Sequence, residues 1–125
     1  MAGVGPMRFT IDGASGTAPF DQVRSQIVAA VRSGQLIAGS KLPTVRALAA
    51  TLDLAPNTVA KAYRELEKDG VIETRGRSGT FVAAGGDPSA GAVQLAATEY
   101  VRAARRAGID DEVALRYVRT ALTDS

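Results

Sequence analysis

The side chains of this sequence best placed to do chemistry are hydrogen-bonding and cationic. Asn57, Thr58 and Lys61 follow Pro56 at the head of one apolar-periodic segment, and Lys41, Thr44 and Arg46 surround the head of the segment before it. Arg75, Gly76 and Arg77 lie between two short β-type runs. Amides, hydroxyls and guanidinium groups of this kind can bond to base edges and phosphate oxygens, which is the chemistry of nucleic-acid recognition. Catalysis has far less to work with. His and Cys are both absent, which removes Ser-His-Asp triads, thiol nucleophiles, Cys/His zinc sites and disulfides. Neither an enzymatic activity nor a cofactor is expected. The acids Asp110, Asp111 and Glu112 could suggest a metal, but acids at a helix start are ordinary partners of the helix dipole, and no other ligand converges on them.

Such groups need elements to hold them, and composition limits what those elements are. With 125 residues, 46% hydrophobic and 22% charged, the chain fits one small domain, or a small domain with an appendage. It has no Trp and three each of Phe and Tyr, so its core must be built mainly of Ala, Val, Leu and Ile. Dimerisation is a natural supplement to so small a core. A net charge of +2 is too small to identify a partner, yet its distribution is informative. Residues 20–84 carry nine basic and six acidic side chains, a balance of +3, against −1 for residues 85–125 and zero for the first nineteen. Nothing approaches the roughly 18 consecutive apolar residues of a membrane span, and the N-terminus has no signal-peptide pattern; a cytoplasmic protein with no membrane partner is expected.

Apolar residues recur at helical spacing at Phe20, Val23, Ile27, Ala30 and Val31, predicting a helix that stops at Gly34. Thr44 is placed to cap a short helix carrying Val45, Leu48, Ala49 and Leu52 inward. After a turn at Asp53, Leu54 and Ala55, Pro56 suits the first position of a third helix, with Val59, Ala62, Tyr63 and Leu66 as its buried stripe and Gly70 at its end. Residues 71–74 and 80–82 then read as a hairpin with a basic tip. Three helices followed by a hairpin make a winged helix-turn-helix, whose third helix presents Pro56, Asn57, Thr58, Ala60 and Lys61 to a major groove. Residues 83–91 punctuate the chain with Gly85, Gly86, Pro88 and Gly91. Two further helices, 92–107 and 111–122, read as a helical hairpin. The fold class expected is therefore mainly α with a small β hairpin. Its parts are a flexible N-terminal arm over 1–18 with a short edge strand at residues 8–12, a winged helix-turn-helix over 19–84, a linker over 85–91 and a helical dimerisation tail over 92–125. In the tail, Ala96, Tyr100, Val101 and Ala104 read as a packing face, with Arg102, Arg105 and Arg106 on a solvated face or against DNA.

The stretches Ser40-Lys41-Leu42-Pro43-Thr44-Val45-Arg46-Ala47-Leu48-Ala49, Pro56-Asn57-Thr58-Val59-Ala60-Lys61-Ala62-Tyr63-Arg64-Glu65-Leu66-Glu67 and Gly79-Thr80-Phe81-Val82 resemble the DNA-binding domain of GntR-type transcription regulators. The short tail is similar to that of the YtrA subfamily, where it serves dimerisation. That resemblance implies a homodimeric, sequence-specific regulator, a repressor of a two-fold symmetric DNA operator. It assigns base and phosphate contacts to Arg46, to Asn57 and Thr58, and to the wing residues Arg75, Gly76 and Arg77. The sequence departs from the family at Ala55, where the family places a capping Ser, Thr or Asn. Two alternatives stand beside this reading: a sensor whose small-molecule effector sits at the dimer interface, and a winged helix that binds protein instead of DNA.

Overall fold

A computed structural model describes residues 8–84 and 88–123; the start of the expected arm, residues 85–87 of the expected linker and the last two residues lie outside them. Helix α1 (Pro19–Ser33) begins on a proline and ends where Gly34 turns left-handed and donates its N–H to the Val31 carbonyl. Val23, Ile27 and Ala30 line its buried face. Helix α2 (Val45–Leu52) is capped as the sequence predicts, with Thr44 Oγ1 accepting the Ala47 N–H at 3.0 Å. Asp53, at φ 55°, closes it in the left-handed region. Helix α3 (Pro56–Lys68) buries Val59, Ala62, Tyr63 and Leu66. It is the hub of the domain, packing against both α1 and α2.

Strands β1 (Ile72–Thr74) and β2 (Thr80–Val82) pair antiparallel, Ile72 opposite Val82 and Thr74 opposite Thr80. The loop before α2 adds a third rung: Lys41 bridges Phe81, Leu42 N–H donates to the Thr80 carbonyl and Val82 N–H to the Ser40 carbonyl, each at 2.8 Å. The hairpin is thereby sealed to the helical core, which a free two-stranded ribbon could not achieve alone. Ile72 and Val82 join the same apolar cluster as the three helices.

The N-terminal segment departs from the expected strand. Residues 8–12 form no strand; they run along α1, whose glutamines take the place of a neighbouring chain. Gln26 accepts from Thr10 N–H and donates back to its carbonyl, at 3.0 and 2.6 Å, and Gln22 does the same for Asp12 at 2.8 and 3.0 Å. Phe9 and Ile11 meanwhile pack onto the core. This part of the expected flexible arm is docked.

Helix α4 (Pro88–Arg106) starts four residues before the predicted 92, and α5 (Asp111–Thr123) follows a tight turn. Asp110 caps α5 by accepting the Val113 N–H at 3.0 Å, and Tyr100 donates its hydroxyl to the Ala114 carbonyl at 2.7 Å. The tail rests on the loop after α1. There Gln94 Oε1 accepts the Ala38 N–H and Thr98 Oγ1 donates to the Ala38 carbonyl, at 3.0 and 2.8 Å. Gly39 makes this approach feasible, since a Cβ there would stand 3.2 Å from both Leu95 and Thr98, and its φ of 86° disfavours any other residue. Ala104 is buried, Tyr100 half-buried, and Ala96 and Val101 are exposed. Among the described residues, no helix is long and apolar enough to cross a membrane.

Candidate nucleic-acid interface

The head of α3 is held from behind and bare in front. Its buried stripe is wholly apolar except for Tyr63, whose hydroxyl donates to the Pro43 carbonyl at 2.7 Å and so ties α3 to the residue before the α2 cap. Burial pushes the Tyr63 phenol above its ordinary pKa, so this donor keeps its proton. On the opposite face Pro56, Asn57 and Lys61 are exposed and Thr58 is half-exposed. Ala55 precedes the helix without a side-chain cap; Pro56 has no N–H to satisfy, and Thr58 N–H turns back to the Ala55 carbonyl at 3.0 Å.

The expected site residues do not all stand equally free. Arg46, in the first turn of α2, is exposed and forms no ion pair among the described residues. Thr44 has spent one hydroxyl lone pair on its cap, leaving its proton to donate outward. The Lys61 ammonium sits 4.0 Å from the centre of the Phe20 ring, a cation–π contact that pins it beside α1. In the wing, Arg75 and Arg77 diverge. Arg75 Nε bonds Glu73 at 2.6 Å while its guanidinium lies 4.6 Å over the Phe81 ring. Arg77 occupies the short 3₁₀ turn Gly76–Ser78, exposed and with no ion pair among the described residues. Gly76 sits just before it at φ 52°, and Gly79, at φ 117°, lets the chain return close to the stem of Lys41. Of the two arginines expected at the basic tip, one is fastened to the hairpin and one is open.

Sequence reasoning missed a further candidate, Arg64, which is exposed one turn beyond Lys61 on the face that carries Asn57. Its i+3 relation to Lys61 was available in the sequence. The acids Glu67 and Asp69 stand at the far end of α3, exposed.

The sequence model for bacterial regulatory proteins of the gntR family matches residues 19–82, from the first residue of α1 to the last of β2. An HTH-type transcriptional regulator of Mycobacterium tuberculosis, Rv1152, is 49% identical over 108 residues, spanning 86% of this chain and 88% of the relative. The HTH-type transcriptional repressor YtrA of Bacillus subtilis is 43% identical over 72 residues, 58% of this chain and 55% of the relative. Among solved structures, YtrA from Sulfolobus acidocaldarius, a GntR-family transcription factor, superimposes with a TM-score of 0.57 at 36% identity, covering 60% of this chain and 79% of its own. The DNA-binding domain of AraR in complex with operator ORX1 does so with a TM-score of 0.53 at 25% identity, covering 62% and 96%. The match spans the whole winged unit, and the chain belongs to the gntR family of bacterial regulatory proteins, as a DNA-binding transcriptional regulator of the YtrA type.

Proposed function

We propose that the protein works in the cytoplasm as a homodimeric repressor, its two winged helices reading the two halves of a symmetric operator. The observation that carries this is the division of α3 into a buried stripe and a bare polar head. Asn57 and Thr58 reach base edges, Arg46 reaches a base or the adjoining phosphate, and Lys41, Thr44, Lys61 and Arg77 contact backbone phosphates. Pro56 and Gly76 contribute close backbone approach. Arg75 joins this set only by leaving Glu73, an exchange that an exposed ion pair permits at small cost. The uncapped N–H at the α3 head is free to meet a phosphate oxygen.

Support for a dimer comes from the tail. Leu115 and Val118 are 52% and 39% exposed and lie three residues apart on α5. A second copy would cover this face. Support for repression is the name of the Bacillus subtilis relative.

Selection of bound sequences from a random DNA pool tests the reading directly: a motif with two-fold symmetry is expected. Measured on that motif, log K should fall with log salt at a slope near −5, about six phosphates being neutralised per dimer. Arg46→Ala should weaken binding by about tenfold and relax the preference at one position of each half-site, with unchanged circular dichroism. A selection that returns no motif, or binding without salt dependence, would reject the reading and favour a protein partner for the winged helix.

A further inference from the structure

The tail arginines do not face open solvent alone. Between α4 and the wing runs an open cleft of about 950 Å³, at the upper end of the size of small-molecule sites. Five cations line it, drawn from three separate elements: Lys41 before α2, Arg75 in the wing, and Arg102, Arg105 and Arg106 on α4. No Asp or Glu is among its lining residues. The α4 contributors Ala97, Thr98, Val101, Arg102, Arg105 and Arg106 come as adjacent pairs four residues apart, so one face of that helix is turned to the wing and the loop after α1. Of the apolar lining residues Val101 is exposed, whereas Leu36 and Phe81 are buried, Phe81 beneath the Arg75 guanidinium.

Three of these cations have partners outside the lining. Glu73 holds Arg75, Glu99 holds Arg102, and Asp111 sits 3.5 Å from Arg105. All three pairs are solvent-accessible, with side chains at least 40% exposed, and such pairs contribute little, so a multivalent anion can replace them. Lys41 and Arg106 form no ion pair among the described residues, and the Lys41 stem is positioned by the backbone at Gly79. Five positive charges against three external acids leave the cleft electropositive, with donors on opposing walls.

We infer that this cleft is a binding site for a phosphorylated small molecule of nucleotide size, its phosphates between Lys41, Arg75, Arg102 and Arg106 and its apolar part against Val101. Because Lys41 and Arg75 also belong to the DNA-contacting set, an occupant withdraws two cations from DNA and weakens operator binding. This last step rests on the function proposed above; the binding site itself does not.

Titration calorimetry of the full chain with ADP, inorganic pyrophosphate and adenosine reads the site without DNA. Saturable binding of ADP, one per chain, is expected at submillimolar concentration, with pyrophosphate weaker and adenosine undetectable. The Arg102→Ala/Arg106→Ala variant, at two exposed positions, should bind ADP about a hundredfold more weakly, roughly tenfold for each arginine–phosphate hydrogen bond removed, with an unchanged circular dichroism spectrum. ADP should lower the operator affinity of the wild type and leave that of the variant nearly unchanged. The inference is overturned if neither ADP nor pyrophosphate gives a saturable signal, or if the variant binds ADP as well as the wild type. It is also overturned if the variant loses operator affinity in the absence of any anion, which would give the arginines to the DNA backbone. If the wild type selects no DNA at all, the repressor reading fails, while the ADP titration still decides the cleft.

Discussion

In the winged unit, the apolar side chains that periodicity brings to one face find partners: Val23, Ile27, Val59, Leu66 and Val82 are each at most 1% exposed. In the tail the pattern reverses. Among the described residues, the only buried hydrophobic residues of α4 and α5 are Ala104 and Ala114, and the large hydrophobic residues that are exposed all lie there, from Val93 at 70% to Leu122 at 72%. Alanine pairs allow helices to approach closely but remove little area from water, so they contribute little. The tail holds itself through directed bonds instead, from Tyr100 to Ala114 and from Gln94 and Thr98 to Ala38. One region therefore completes its core within a single chain. The other spends its large side chains on a surface meant for something else.

If that contrast is right, the same kind of damage has different consequences in the two regions. Leu66→Ala removes a fully buried side chain from the helix at the centre of the winged unit, and should cost about 3 kcal/mol. The loss would be read as a lowered chemical-denaturation midpoint, with DNA binding failing only because the domain unfolds. Leu115→Asp combined with Val118→Asp should leave that midpoint within about 0.5 kcal/mol of the wild type, since both side chains already meet water. Its effect should appear in sedimentation, as a shift from dimer to monomer. A double variant that remained dimeric would place the interface elsewhere; one that unfolded would show that the tail does build a core of its own.

Tyr63 sharpens the comparison at smaller scale, because it is where the apolar core carries a polar bond. Tyr63→Phe should cost about 1 kcal/mol through loss of the bond to Pro43. The pH dependence follows from burial. The folded state holds the phenolic proton beyond the ordinary pKa, whereas the unfolded chain releases it near pH 10. This contribution to stability is complete below about pH 10 and is lost as pH rises further, so the wild type should destabilise above that pH more steeply than the Phe variant. Parallel curves for the two proteins would mean that the phenol is not protected.

Much of the winged unit was legible in the sequence because local signals there agree with tertiary need. The Val59-Ala62-Tyr63-Leu66 spacing marked the buried stripe, Thr44 its neighbour's cap, and residues 80–82 the second strand. Harder to read were features made by backbone meeting backbone. The third rung at Lys41 is a single bridge with no alternation to announce it. Gln22 and Gln26 look like surface residues until the arm they hold is seen. Gly91 reads as punctuation, yet it lies buried inside α4 near the Ala84 carbonyl, where a Cβ would come within 2.8 Å. Within the candidate site, types and positions could be listed from the sequence, but the engagement of Lys61 depends on the Phe20 ring far away in the chain, and that of Arg75 on how Phe81 is set across the hairpin. The cleft was out of reach for the same reason, since its walls join residues some sixty positions apart.

The smallest expected effect concerns the two helix heads that flank the turn. Thr44 caps α2, and Ala55, at the equivalent place before α3, caps nothing. Both residues have extended backbone angles, φ −64° and ψ 158° against φ −65° and ψ 140°, so the geometry for a cap exists at Ala55 and only the oxygen is missing. Ala55→Ser should therefore stabilise the fold by about 0.5–1 kcal/mol, whereas Thr44→Ala should destabilise it by about 1 kcal/mol. DNA binding separates two reasons for the missing oxygen. If the α3 head meets a phosphate, a serine that captures the same N–H competes with it, and Ala55→Ser should bind the operator more weakly while melting higher. Should it bind as tightly as the wild type, the α3 head makes no phosphate contact, and Pro56 alone accounts for how the recognition helix begins.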